Sequence, residues 1–173
     1  MVFLYAGALT ARKGVPILLA AWKRASLGPR AELWLSGSGH LPPSITKPKG
    51  VRLLGKLSRC ELADAMRRAH VFVFPSLFEG LAQVQVEALA TGLPVIGTVS
   101  SGAEDLVHPG ETGFVLTAGS IDELANCLLE LAANGDMVHT MREKCIASRW
   151  LRSWSRYGEQ WFDLLSRVCV EAH

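Results

Sequence analysis

Glu79 and Glu87 stand eight positions apart in the run Pro75-Ser-Leu-Phe-Glu-Gly-Leu-Ala-Gln-Val-Gln-Val-Glu-Ala-Leu-Ala-Thr-Gly-Leu-Pro94. The pattern puts Glu79 and Gly80 at the mouth of a helix. Its free N–H groups carry roughly half a positive charge, a natural seat for a diphosphate. Glycine at 80 leaves room for a ligand against the backbone. Glu87 lies inside the helix with Gln83 one turn before it on the same side, and a carboxylate there can accept hydrogen bonds from two vicinal hydroxyls, such as those of a ribose. The same spacing also serves a plainer arrangement, in which Glu79 only favours the helix dipole and Glu87 is a solvated helix residue.

A second candidate is Ala6-Gly-Ala-Leu-Thr-Ala-Arg-Lys-Gly14, where Arg12 and Lys13 could neutralise phosphate or simply form a solvated turn. Ser36-Gly-Ser-Gly39 is half of a dinucleotide fingerprint. The third glycine is missing and Leu41-Pro-Pro follows, which argues against a nicotinamide or flavin cofactor. There is no Asp-x-Asp pair and no cluster of His and Asp ligands, so no metal site is expected. The four cysteines, Cys60, Cys127, Cys145 and Cys169, lie far apart and read as reduced thiols acting as small apolar residues in the cytoplasm.

The elements that must position these residues follow from periodicity. Val2–Tyr5, Leu33–Ser36, Val51–Leu54, Val71–Phe74, Val95–Gly97 and Gly113–Leu116 predict strands; Val15–Ala25, Arg59–Ala69, Leu81–Thr91 and Ile121–Asn134 predict helices. Val71-Phe-Val-Phe74 is apolar on both faces, as in a parallel strand covered on both sides. The expected fold is one Rossmann-like α/β domain: an open, mostly parallel sheet of about six strands with helices on both faces, followed by C-terminal helices. Ligands on such a sheet sit outside the carboxyl ends of the strands, which is where the candidate loops fall. With 173 residues, 49% hydrophobic and 20% charged, the chain can bury a core as one domain, and disorder is excluded. A net charge of +2 names no polyanionic partner, so no nucleic acid is expected. The apolar opening Met1–Gly7 is too short for a signal peptide or a span and reads as the first strand. His40–Gly50, with three prolines, is the long irregular segment. Trp150, Trp154, Tyr157, Trp161, Leu164 and Val168 make an aromatic stripe on a last helix that Ser153 and Gly158 are expected to interrupt.

Taken in order, these segments resemble the carboxyl-terminal domain of the group-one retaining glycosyltransferases with the GT-B fold. The pieces that carry the resemblance are Gly7-x5-Lys13-Gly14, Gly37-Ser-Gly39, Val51-Arg-Leu-Leu-Gly55, Pro75-Ser-x2-Glu79-Gly80, Glu87-Ala-Leu-Ala-x-Gly92-x-Pro94-Val-Ile and Gly110-x2-Gly113. The spaced glutamates running into Glu-Ala-x-Ala-x-Gly-x-Pro are the specific part. The resemblance implies that Glu87 holds the ribose of a nucleoside-diphosphate sugar and Glu79 the hydroxyls of the donor sugar. Lys13 would stabilise the departing diphosphate, with Arg12 the candidate substitute for a family arginine that this chain lacks, and the main-chain N–H groups of Gly80, Leu81 and Ala82 would lie near sugar and phosphates. It implies hexosyl transfer to an acceptor with retention and without a metal or other cofactor, in polysaccharide or glycolipid synthesis, with Glu79 and Lys13 as the catalytic pair.

The chain departs from the family pattern in three places. Gly7-Ala8-Leu9 lacks the usual arginine, Glu79-Gly-Leu-Ala82 replaces the frequent Glu-Gly-Phe-Gly, and Asp105 stands where a glutamate is common. Family members also carry an amino-terminal α/β domain that holds the acceptor. The expected organisation is therefore a nucleotide-sugar domain over 1–149 and an amphipathic helix over 150–173 that contacts the missing domain or a partner subunit. Two alternatives follow from the same residues: an inactive binding or scaffold module, suggested by Ala8, and a last helix that associates with itself or, through Arg149, Arg152, Arg156 and Arg167, with the inner face of the membrane.

Overall fold

The computed structural model describes residues 1–39, 47–80, 82–148 and 154–171, and in the last stretch the side chains of 155–163. In chain order the elements are β1 (Val2–Ala6), α1 (Val15–Ala25), β2 (Glu32–Ser36), β3 (Val51–Gly55), α2 (Arg59–Arg68), β4 (Val71–Phe74), α3 (Gln83–Ala90), β5 (Val95–Thr98), β6 (Gly113–Leu116), α4 (Ile121–Ala133), α5 (Gly135–Ala147) and α6 (Trp154–Glu171).

The strands form one sheet in the order β3-β2-β1-β4-β5-β6, every neighbouring pair parallel. The connections from β1 to β2 and from β4 to β5 step in opposite directions. Right-handed crossovers therefore put α1 and α3 on opposite faces. The order reverses between β1 and β4, which pair through Phe3 with Val71 and Leu4 with Phe72. In a doubly wound sheet this reversal opens a crevice at the carboxyl ends of the two strands. Strands β4 and β5 are buried along their whole length and β1 from Phe3 onward, which explains their unbroken apolar sequences. At the edge, β3 exposes Arg52 and Leu53. Tyr5 stacks on Phe74 at 6.3 Å between ring centroids, and Phe3 meets Trp22 of α1 edge-on at 5.7 Å. α1 packs on α4, and α3 on α5, closing the core on both sides.

Two glycines pinch the crevice shut at its base. Gly14 has φ 71, and a Cβ there would lie 1.8 Å from the Pro75 carbonyl oxygen; a Cβ on Gly37 would lie 1.7 Å from that of Gly7. The loops after β1, β2 and β4 thus meet backbone to backbone, with no space for a side chain between them.

The structure moves some expected boundaries. α3 starts at Gln83 rather than Leu81: Ala82 is extended at φ −80 and ψ 108 and serves as the N-cap, and Leu81 lies outside the described residues. The preceding loop is tied elsewhere, with Leu77 N–H on the Arg12 carbonyl and Glu79 N–H on that of Ser100, so helix propensity yields to tertiary hydrogen bonds. α6 runs through Gly158 without interruption, a glycine inside a helix costing only about 1 kcal/mol. Ser153 is outside the described residues, as are Trp150 and the side chains of Trp154, Leu164 and Val168. Of the rest of the stripe, Tyr157 and Trp161 are exposed. Cys127 and Cys145 are buried, and burial pushes the Cys127 thiol up to about 12. Cys60, against expectation, is exposed, because it sits on the solvent side of the first turn of α2.

That turn is closed by a reciprocal cap: Ser58 Oγ accepts from Glu61 N–H, and Glu61 accepts from Ser58 N–H at 2.8 Å. Ser58→Ala is expected to destabilise the fold by about 1 kcal/mol. Thermal unfolding should register this as a drop of about 2–4 °C.

Candidate active site

At the crevice, the loops after β1, β2, β3 and β4 surround a cleft of about 500 Å³. Gly7, Ala8 and Lys13 come from the first loop, Ser36 and Gly37 from the second, Lys56 from the third, and Glu79 from the fourth; Ala82, Gln83 and Glu87 line it from α3. Of the residues singled out from sequence, Lys13, Glu79, Ala82 and Glu87 share this cleft. Gly80 lines an adjoining hollow of about 420 Å³ together with Glu79, Ser100 and Asp105. Arg12 is outside the lining of both, and Leu81 is outside the described residues.

Glu79 is the hinge between the two hollows. Its carboxylate accepts a hydrogen bond from Lys13 Nζ in an ion pair and a second from Arg12 Nη1 at 3.3 Å. Arg12 also donates to the Phe78 carbonyl at 3.2 Å, so its guanidinium clamps the loop. The Lys13 ammonium lies 5.2 Å from the centroid of the Phe74 ring, whose face favours the cation. Below, Tyr5 Oη donates to the Ala8 carbonyl at 2.7 Å; burial, and after it the Glu79 carboxylate, push that phenol upward.

The Lys13 hydrogen bond, followed by the charges of Lys13 and Arg12, holds the Glu79 carboxyl below its ordinary value of 4.5. A depressed folded-state pKa contributes stability that is present above the unfolded value and lost as pH falls through the folded one. Glu79→Gln should therefore flatten the acid limb of stability below pH 4.5. Urea unfolding of both proteins across that range checks this; two parallel curves would contradict it.

α3 aims its N-terminus into the cleft without protein caps. Ala82 offers no side-chain acceptor, and the first turn contains no acidic residue, whereas Ser58 caps α2 and Ser120 caps α4. The N–H groups of Gln83 and Val84 have no intrahelical acceptor, so an anion in the cleft would find both donors and the helix dipole. One turn farther, the exposed Glu87 carboxylate faces the same cleft with no hydrogen-bond or ion-pair partner among the described residues. The cleft thus holds the Lys13 and Lys56 ammonium groups, a helix N-terminus and an unengaged carboxylate.

Sequence reasoning missed Lys56, Phe74 and Tyr5. Lys56 follows β3 in a loop the carboxyl-end rule marks for attention, but a lysine beside a glycine turn carries no signal of its own. Phe74 and Tyr5 read as core, and only the strand order brings the Phe74 ring beneath Lys13. A hollow of about 690 Å³ between Trp22, Leu27, Pro29 and Pro48 is larger than the cleft. It lies where β2 and β3 begin, contributes no carboxylate, and sits at the end of the sheet opposite to ligand crevices. Among the described residues no cluster of His, Cys, Asp or Glu is arranged to hold a metal, and no helix is long and apolar enough to cross a membrane.

A doubly wound parallel sheet with an anion-ready crevice at its switch point defines a Rossmann-like nucleotide-binding fold class. Within that class the chain belongs to the glycosyl transferases group 1 family, whose model matches residues 1–134. It is 32% identical over 146 residues to an uncharacterized glycosyltransferase of Methanocaldococcus jannaschii, covering 81% of this chain and 40% of that protein. It is also 32% identical over 136 residues to the GDP-mannose-dependent monoacylated alpha-(1-6)-phosphatidylinositol monomannoside mannosyltransferase of Corynebacterium glutamicum, covering 71% of this chain and 35% of the relative. Among solved structures, Anabaena HepE in complex with UDP and glucose superposes with a TM-score of 0.81 at 25% identity, over 96% of this chain and 48% of that one. The chain therefore spans less than half the length of these relatives.

Proposed function

We propose that this chain is the donor-binding half of a glycosyltransferase that moves a hexosyl group from a nucleoside diphosphate to an acceptor hydroxyl, with retention and without a metal. The observation that carries the reading is the cleft itself, where Lys13, the uncapped start of α3, Glu79 and Glu87 face one space. The diphosphate lies on the Gln83 and Val84 N–H groups with Lys13 beside it, the ribose diol on Glu87, and the sugar against Glu79. In the transfer the bond from the anomeric carbon to the diphosphate oxygen breaks as the acceptor oxygen bonds to that carbon, and the hydroxyl proton leaves with the diphosphate. Negative charge grows on the leaving oxygen, and fixed positive groups there lower the barrier. Lys13, Lys56 and the helix terminus supply that charge from the protein, which supports metal independence. Attack from the face the diphosphate leaves gives retention without an enzyme nucleophile. We assign acceptor binding to the remainder of a longer enzyme or to a partner subunit, consistent with the relatives' greater lengths.

The relatives supply two nucleotides to try, the GDP-mannose named for the Corynebacterium enzyme and the UDP bound by HepE. Calorimetric titration of the chain with UDP, GDP and their sugars is expected to give binding at millimolar affinity or tighter for at least one base. Failure to bind any of them would leave the alternative, a scaffold that keeps the fold without the chemistry, which the Ala8 position in the cleft lining favours.

A further inference from the structure

Gln85 is fully buried in the middle of α3, two residues before Glu87. Its Nε2 donates to the Ser101 carbonyl at 2.7 Å, in the loop after β5. Its Oε1 has no donor among the described residues; it lies beside Gly97 of β5, where a Cβ would meet Ala103 Cβ at 2.3 Å and this oxygen at 2.8 Å. A buried amide with one end unsatisfied costs stability, and an apolar side chain of the same length would fill the space without that cost. Packing alone does not account for a glutamine here, and the bond to Ser101 is what it adds.

That bond fixes the loop that holds Glu79. Ser101 Oγ donates to the Thr98 carbonyl at 2.8 Å and accepts from Thr98 N–H at 3.1 Å, which shapes the turn over 98–101. The adjacent Ser100 carbonyl accepts the Glu79 N–H at 2.7 Å. Thr98 Oγ1 donates to the Ser76 carbonyl, and Ser76 Oγ donates to the Arg12 carbonyl at 3.2 Å. Ser76, Gln85, Thr98 and Ser101 are four of the six buried polar side chains among the described residues, and together they join the three loops that carry Lys13, Glu79 and Ser100.

We infer that Gln85 is a positioning residue for the candidate site: through Ser101 and Ser100 it sets where the Glu79 backbone, and with it the Lys13–Glu79 pair, stands relative to the start of α3. The inference rests on the donor-binding reading for its consequence, and on the hydrogen-bond chain alone for its geometry.

Gln85→Met separates position from packing. The methionine keeps the length of the side chain and loses both the donor and the unsatisfied oxygen, so the melting temperature should stay within about 3 °C of the parent. Amide hydrogen exchange at Glu79 should quicken about tenfold or more while the β1 and β4 amides stay protected. Nucleoside-diphosphate binding, measured by calorimetry on the full chain, should weaken by about tenfold. Ser101→Ala should give a similar loss, and the two changes together less than the sum of their separate effects, because they break one chain of bonds. Unchanged Glu79 exchange in Gln85→Met would overturn the positioning role, as would unchanged affinity in a protein whose parent binds nucleotide. If the parent binds no nucleotide and Glu79 exchange still quickens, the positioning stands and the donor-binding reading falls.

Discussion

Lys13→Met is expected to weaken nucleoside-diphosphate binding by roughly ten- to a hundred-fold while the chain remains folded, because a hydrogen bond to a charged group is worth about 1.5–3 kcal/mol. In the free protein the Lys13 ammonium is neither solvated nor spare: it is paired to Glu79 and held over Phe74. Binding a diphosphate exchanges or shares that partner, so the net gain is smaller than the gross Coulomb attraction. Removing the ammonium has a second effect, however. It leaves Glu79 with only the exposed Arg12 to offset its charge, next to the place where phosphate oxygens arrive. Both effects act in the same direction, which puts the expected loss toward the upper end of the range. Methionine keeps most of the stem that packs on Phe74, so the loss reports charge rather than cavity. Calorimetry at two salt concentrations checks it: the parent should lose affinity as salt rises, and the variant should lose less. Equal affinities for parent and variant would remove Lys13 from the site.

Glu87→Ala is expected to cause a loss of similar size, distinguished by its dependence on the ribose. The Glu87 carboxylate has no partner among the described residues, so its removal costs the fold little, and the melting temperature should not move. What it offers a ligand is two acceptor oxygens for two adjacent hydroxyls, each a charge-assisted bond. The parent should accordingly bind a 2′-deoxynucleoside diphosphate about tenfold more weakly than the ribonucleotide. In Glu87→Ala that preference should vanish, with both ligands bound at the weaker level. A variant that keeps the ribose preference would mean that the diol lies elsewhere.

Sequence reveals the features of the fold and the cleft that local chemistry sets. Val71–Phe74 is legible as a doubly covered strand because all four residues are apolar, and the bounds of α1, Val15–Ala25, follow from its apolar periodicity. The pairing of Lys13 with Glu79, 66 residues apart, is not local; it needs the strand order that sets β1 beside β4. The start of α3 is misplaced by reading alone because Leu81 and Ala82 favour a helix, while bonds to Arg12 and Ser100 tie down the loop before them in a non-helical course. Arg12 shows the same limit: its bonds to Glu79 and to the Phe78 carbonyl, like that of Lys13, cross between loops far apart in sequence and leave no local sign. Gln85 is illegible for the same reason. A glutamine between two valines reads as a surface residue, whereas its burial comes from packing beside Gly97 of β5 and bonding to Ser101, neither of them local in sequence.

The arrangement of one cleft around a sugar nucleotide is tested most directly by a structure of this chain bound to the nucleoside diphosphate it prefers. Phosphate oxygens are expected within about 3 Å of Lys13 Nζ and of the Gln83 or Val84 N–H, with both ribose hydroxyls on the Glu87 carboxylate. A nucleotide seated in the hollow beside Trp22 and Pro48, or one in the crevice that leaves Glu87 unengaged, would contradict it.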